Sequence, residues 1–125
     1  MADESLPFSG LTALAVEDEA IIAFMIEDML GELGFAKVVH ASSVDKALAI
    51  LESTQPDVAV LDVNVAGTPV YPVADALKAL DVPFAFASGY GRNGLPAEWA
   101  NNPVIQKPFD LTRLRDALSA CLVRP

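Results

Sequence analysis

The sequence alternates short apolar runs with longer amphipathic segments, and this alternation limits the possible folds more than any other feature. Each run has the length of a strand and is rich in β-branched, aromatic or small apolar residues. The five runs are residues 11–16, 37–41, 58–61, 84–87 and 104–105. Strands separated by helices pair in parallel, because a parallel neighbour needs a crossover of about a dozen residues. The pattern therefore predicts an α/β fold with a doubly wound, five-stranded parallel sheet.

Four segments carry apolar residues at helical spacing. They are residues 20–33, 44–53, 73–80 and a last segment over 111–121. Ser43 and Asp110 precede two of them and are residue types favoured at a helix N-cap. Gly34 follows the first helical segment and predicts its end.

The stretch 89–102 breaks the alternation. It contains three glycines, three asparagines and one proline, which disfavour a helix. We expect a long loop with at most one helical turn, at residues 97–100. The chain has 125 residues and no linker long enough to divide it. We therefore expect a single domain over residues 1–125, with a core over about residues 11–122.

Charge and hydropathy exclude two classes of partner. The chain has 8 basic and 17 acidic residues, a formal net charge of −9, which opposes binding to a phosphate backbone. The longest uninterrupted apolar run, residues 20–26, is far shorter than the about 20 residues that a membrane span needs. One cysteine cannot form an internal disulfide, and the acidic N-terminus does not resemble a signal peptide. We expect a cytoplasmic protein that binds no nucleic acid and no membrane.

Polar side chains follow four of the predicted strands. They are Glu17 and Asp18 after the first, Asp62 after the third, Ser88 after the fourth and Lys107 after the fifth. A doubly wound sheet binds its ligands beyond the carboxyl ends of the strands. Carboxylates grouped there need a cation, and oxygen ligands suit Mg²⁺, or Mn²⁺ in its place. One aspartate at a strand end is usually a turn residue, but four coincident strand ends indicate a site for a divalent ion and a phosphoryl group.

From about Leu11 to Leu122 the chain resembles the receiver domain of two-component response regulators. The matching motifs are Val16-Glu-Asp-Glu19, Val60-Leu-Asp-Val-Asn64, Phe86-Ala-Ser-Gly-Tyr90 and Lys107-Pro-Phe109. They occur in the family's order and spacing. The resemblance implies a flavodoxin-like receiver fold with the strand order 2-1-3-4-5.

The resemblance also implies a metal site. Asp18 and Asp62 would bind Mg²⁺ directly, Asn64 would contribute its backbone carbonyl, and Glu17 would bind through a water molecule. Mn²⁺ would take the same place.

The same resemblance implies roles in phosphoryl transfer. Asp62 would be the phosphoacceptor, Ser88 would hydrogen-bond a phosphoryl oxygen, and Lys107 would pair with the phosphoryl group. The peptide bond between Lys107 and Pro108 would be cis.

The implied function is that of a phosphorylation-dependent receiver. It would take a phosphoryl group from a sensor histidine kinase and signal through a downstream protein partner, or act as a phosphate sink. It would catalyse only its own phosphoryl transfer and dephosphorylation and is not expected to be an enzyme. We expect a monomer or a weak dimer.

Two features depart from common receivers. Val104 stands where the family usually has an aromatic residue that swings inward on activation. The run around Phe86 and Ser88 resembles a subfamily with a Phe-Ala-Thr-Gly-Tyr-like signature, here with Ser for Thr. That subfamily is associated with kinases of the HWE or related type. His40 is expected to be a partly exposed edge residue, and Trp99 a packing anchor.

Other functions remain open at this point. A pseudo-receiver would bind proteins without phosphorylation, although the intact Asp18, Asp62, Ser88 and Lys107 speak against it. A phosphatase of the haloacid-dehalogenase-like type needs a second acid two residues after its nucleophile, where this chain has Asn64. A flavin carrier needs a phosphate-binding loop after the first strand, where the acidic residues would repel the phosphate.

Overall fold

The computed structural model describes residues 8–91 and 95–122, in which a central sheet lies between two layers of helices. The strands are β1 (Thr12–Val16), β2 (Lys37–Ala41), β3 (Val58–Asp62), β4 (Asn64–Val65), β5 (Thr68–Pro69), β6 (Phe84–Ser88) and β7 (Val104–Gln106). The α-helices are α1 (Ala20–Glu32), α2 (Val44–Leu51), α3 (Tyr71–Ala79) and α4 (Leu111–Leu122). None of the helices in this part of the chain is long and apolar enough to cross a membrane.

The central sheet has the order β2-β1-β3-β6-β7, and every neighbouring pair in it is parallel. The prediction of a doubly wound, five-stranded parallel sheet with the order 2-1-3-4-5 is confirmed, since β6 and β7 are the fourth and fifth strands of this sheet. Four residues of β3, Val58 to Leu61, are buried. A central strand covered by helices on both faces needs such a continuous apolar run.

Strands β4 and β5 form a separate antiparallel hairpin directly after β3. Ala66 and Gly67 connect them with φ angles of 53° and 82°, the left-handed conformations that a two-residue hairpin turn of type I′ requires. Two-residue strands have no measurable periodicity, so this hairpin could not be predicted from the sequence.

Two buried clusters fill the space between the sheet and its helices. On one face, Leu14 and Val16 of β1 pack with residues of α2 and α3 such as Ala47 and Leu77. On the other face, Ala13, Ala15 and Val58 pack with α1 and α4, which contribute Ile26, Leu30, Leu114 and Leu118. The alternation of β1 side chains between the clusters follows from the two-residue period of a strand.

The helices begin and end within two residues of the predicted bounds. Ser43 is the N-cap of α2, where its Oγ accepts a hydrogen bond from the Lys46 N–H at 3.1 Å. Asp110 similarly accepts one from the Arg113 N–H at 2.9 Å. Helix α3 begins two residues earlier than predicted, with a proline in its first turn, a position at which proline is well tolerated.

In the second half of the loop between β6 and β7, a short 3₁₀ helix spans Ala97–Trp99. The helical turn predicted at residues 97–100 is confirmed, and Gly91 is also in a 3₁₀ conformation, next to residues 92–94, which lie outside the described residues. Trp99 is only 4% exposed and packs against the rings of Tyr71, Phe84 and Phe86 at centroid distances of 5.8–6.3 Å. It therefore anchors the second half of the loop to the core, as expected.

Candidate functional site

Three carboxylates meet at the carboxyl edge of the sheet. Glu17, Asp18 and Asp62 each offer an oxygen, and these oxygens lie within 4.8 Å of one another. The register explains the meeting: β1 and β3 are parallel neighbours with Val16 opposite Leu61. The residues that follow this pair, Glu17 and Asp62, are therefore side by side where the two strands end.

Lys107 reaches this cluster from the edge strand β7. Its Nζ lies 3.3 Å from Glu17 Oε1 and 3.3 Å from Asp62 Oδ2. Its backbone N–H donates to the Ser88 carbonyl at 2.9 Å, which fixes the start of its side chain beside β6. The peptide bond from Lys107 to Pro108 is cis, as the resemblance implied.

Glu17 is an acid buried in the fold, with 0% exposure. Burial raises the pKa of Glu17 above its usual value, and the nearby charge of Asp62 raises it further. A hydrogen bond from the Glu19 N–H to Glu17 Oε2, 3.1 Å long, and the ammonium group of Lys107 oppose this rise without cancelling it. A further positive charge at the site would therefore stabilise the ionised form of Glu17.

The pKa of Lys107 reflects two opposing effects. Burial disfavours its charged form, but the charges and hydrogen bonds of Asp62 and Glu17 outweigh burial and raise the pKa above its usual value. Lys107 is consequently an ammonium group throughout the physiological pH range. One ammonium facing three carboxylates leaves the cluster with an excess of negative charge. An oxygen-only donor set with that excess fits a hard divalent cation.

Ser88 and Asn64 lie at the same edge, in different surroundings. Ser88 ends β6, one residue beyond Ala87, which pairs with Asp62. Its buried hydroxyl oxygen accepts a hydrogen bond from the Tyr90 N–H at 3.0 Å. Asn64 begins the β4–β5 hairpin, where it pairs with Pro69, and its side chain is exposed.

His40 is a partly exposed residue of the edge strand β2, as expected, but the sequence did not predict its contact with the site. His40 Nε2 lies 2.8 Å from the Glu17 carbonyl oxygen, so the imidazole contacts the backbone that carries Glu17 and Asp18. The position of His40 next to the end of β2, beside β1, was the available signal. It pointed to the correct edge of the sheet but not to this contact.

Three solved structures that are between 31% and 43% identical to this chain share its fold. SdrG from Sphingomonas melonis Fr1 is 42% identical with a TM-score of 0.81, over 91% of this chain and 98% of that chain. The BeF3-activated conformation of SdrG from Pseudomonas melonis Fr1 is 43% identical, with a TM-score of 0.78, over 92% and 99%. A response regulator receiver protein from Sinorhizobium medicae WSM419 is 31% identical, with a TM-score of 0.76, over 90% and 94%.

A more distant structure shares the fold at 24% identity and a TM-score of 0.74, over 90% of this chain and 98% of that chain. It is the receiver domain of the sensor histidine kinase PA1611 from Pseudomonas aeruginosa PAO1, with a magnesium ion coordinated in its active site cleft. A search of curated proteins found no match. The family model of the response regulator receiver domain matches residues 13–119. This chain therefore belongs to the response regulator receiver domain family.

Proposed function

We propose that this receiver domain accepts a phosphoryl group from a sensor histidine kinase onto Asp62, with Mg²⁺, and signals through a protein partner or acts as a phosphate sink. The observation that carries the proposal is the position of Asp62. Its Oδ2 lies 3.3 Å from Lys107 Nζ, and its carboxylate shares a cluster with Glu17 and Asp18. This arrangement combines an anionic nucleophile with groups that can hold a cation and bind an incoming phosphoryl group.

In this proposal the metal is held mainly by Asp18 and Asp62, with the backbone carbonyl of Asn64 as a further ligand and Glu17 acting through a water molecule. Mn²⁺ would use the same oxygen ligands. When bound, the divalent ion neutralises negative charge on the phosphoryl oxygens. The excess of carboxylates over ammonium groups at the site supports this assignment.

The reaction is a displacement at phosphorus. A carboxylate oxygen of Asp62 bonds to the phosphorus as the bond from phosphorus to the histidine nitrogen of the kinase breaks. The electron pair of the broken bond stays on the imidazole, which leaves neutral when its other nitrogen carries a proton. Lys107 is already positioned to bind a phosphoryl oxygen. Ser88 can donate its hydroxyl proton to another, so positioning and charge stabilisation are what the protein contributes.

An exposed apolar surface beside the site supports docking of a kinase. Ile21, Phe24 and Met25 of α1 are 77%, 69% and 49% exposed. Next to them a groove of about 310 Å³ is lined by Ile22, Met25, Ile26, Met29, Lys107, Pro108 and Phe109. Since Lys107 belongs to both groove and site, a histidine-bearing domain seated on this surface would present its phosphoryl group close to Asp62. The subfamily resemblance makes a kinase of the HWE type the first to test.

We also propose that residues 1–125 form one receiver domain, acting in the cytoplasm as a monomer or weak dimer without binding nucleic acid. The match over residues 13–119 supports the first point. The net charge of −9 supports the absence of nucleic-acid binding.

The proposal is tested by phosphorylation with a small phosphodonor such as acetyl phosphate and with phosphorylated HWE kinases, in the presence of Mg²⁺. We expect labelling of the wild-type protein and loss of it in Asp62→Asn. Asp75→Asn is a matched control, because Asp75 is an exposed aspartate on α3. Label retained in Asp62→Asn would refute the assignment of the acceptor. An unlabelled wild-type protein that still binds its partner would favour a pseudo-receiver.

A further inference from the structure

We propose that His40 is a positioning residue, whose imidazole fixes the backbone at the end of β1 that carries Glu17 and Asp18. His40 Nε2 lies 2.8 Å from the Glu17 carbonyl oxygen, although the two residues are 23 positions apart. A carbonyl oxygen can only accept, so Nε2 must carry the proton of this hydrogen bond. The proposal rests on the function proposed above, because it concerns the metal-binding part of that site.

The register of the sheet explains why a side chain is needed at this point. The Glu17 N–H donates to the Ala41 carbonyl at 3.0 Å, which continues the β1–β2 ladder one step beyond Val16. In a parallel ladder the Glu17 carbonyl would next accept from the N–H of residue 43. Strand β2 ends at Ala41, however, and Ser43 is the N-cap of α2. The imidazole of His40 supplies the donor at the place where the ladder stops.

The consequence is that Glu17 is held at three points. Its N–H is bonded to β2, its carbonyl to His40, and its side chain to Lys107 and to the Glu19 N–H. Rotation of the peptide between Glu17 and Asp18 would move the Asp18 carboxylate relative to Asp62. His40 therefore acts on the metal ligands through the backbone, without contacting a ligand atom.

The first test compares Mg²⁺ affinity, measured by following backbone amide shifts in an NMR titration. His40→Val keeps a residue suited to a strand but removes the donor, and we expect Mg²⁺ binding about tenfold weaker, the lower end of effects seen for groups behind metal ligands. His40→Gln places an amide nitrogen at a similar reach and should restore most of the affinity. Val38→Ala is the control, because Val38 lies two residues earlier on the same face of β2. It should lower stability without changing Mg²⁺ affinity.

The second test needs no metal. We expect the ¹⁵N shifts of the His40 ring to show a protonated Nε2 at neutral pH, and the Glu17 and Glu19 amides to exchange faster in His40→Val than in Val38→Ala. An unprotonated Nε2, or unchanged exchange at both amides, would overturn the proposal. So would equal Mg²⁺ affinity of the wild-type protein and His40→Val. If the wild-type protein bound no Mg²⁺, the proposed function would fail, and the exchange measurement would still decide the role of His40.

Discussion

Glu17 is a buried acid whose charged form is disfavoured in the folded protein. Burial raises its pKa above the usual 4.5, so the folded protein binds a proton at Glu17 more tightly than the unfolded chain does. The ionised carboxylate therefore lowers stability at neutral pH. This cost disappears as the pH falls through the raised pKa, and it is absent below 4.5, where Glu17 is protonated in both states.

We therefore expect Glu17→Gln to raise the free energy of unfolding at pH 7 in Mg²⁺-free buffer, with a difference that shrinks as the pH is lowered toward 4.5. Urea denaturation at several pH values measures this difference. Glu52→Gln, at an exposed position, should show no comparable gain. A lower stability of Glu17→Gln at pH 7 would mean that the ion pair with Lys107 outweighs the cost of burial.

The β4–β5 hairpin, which the sequence did not predict, contains a strained residue in its turn. Ala66 has a φ of 53°, a left-handed conformation that costs an L-residue about 1–2 kcal/mol. Gly67, with a φ of 82°, adopts its conformation without that cost. Glycine therefore suits the second position of the turn, whereas the alanine at the first position is strained.

Ala66→Gly is expected to stabilise the protein by about 0.5–1 kcal/mol, because the relief of strain exceeds the entropy that a glycine adds to the unfolded chain. Denaturant unfolding measures the difference. Ala36→Gly is the matched control at an exposed alanine outside the helices and strands, where φ is not positive, and it should destabilise. Equal effects of both substitutions would show that the turn is unstrained.

Elements with a strong pattern were the ones that the sequence could predict. The five sheet strands and the caps at Ser43 and Asp110 were correct, because apolar runs and capping residues act locally. The β4–β5 hairpin was missed because its pairing depends on only two residues per strand. The contact of His40 with Glu17 was missed because it depends on where the β1–β2 register ends, which no local pattern encodes.

The candidate site, likewise, could be predicted from the sequence only in part. Strand ends correctly indicated that Glu17, Asp18, Asp62 and Lys107 would lie together. The sequence could not indicate that Lys107 contacts two carboxylates at once, or that the Ser88 hydroxyl already has a partner. Both facts depend on side-chain orientation within the assembled sheet.

The loop between β6 and β7 begins at the candidate site, and its second half contains Trp99, which packs against the rings of Tyr71, Phe84 and Phe86. The Ser88 hydroxyl oxygen accepts from the Tyr90 N–H and could keep this bond while donating its own proton to a phosphoryl group on Asp62. A hydrogen bond of this kind is strengthened when its members form a chain. The second half of the loop is already packed through Trp99.

We therefore expect activation to increase amide protection mainly at residues 89–91 and much less at 95–102. Amide exchange in Mg²⁺, with and without beryllofluoride as the stand-in for the phosphoryl group, measures this. Ser88→Ala should abolish the increase at Tyr90. Protection at Tyr90 that is unchanged by beryllofluoride would exclude Ser88 as the link between the site and the loop.

Trp99 also gives the molecule an optical property. It is the only tryptophan in the chain, its ring stacks on that of Tyr71 at an interplanar angle of 9°, and Lys78 Nζ lies 5.8 Å from its centroid. An indole enclosed in this way emits at shorter wavelengths than one in water, and the nearby tyrosine can transfer excitation to it. The protein thus carries a built-in, label-free fluorescent reporter at a single defined place, the junction between the loop and the core.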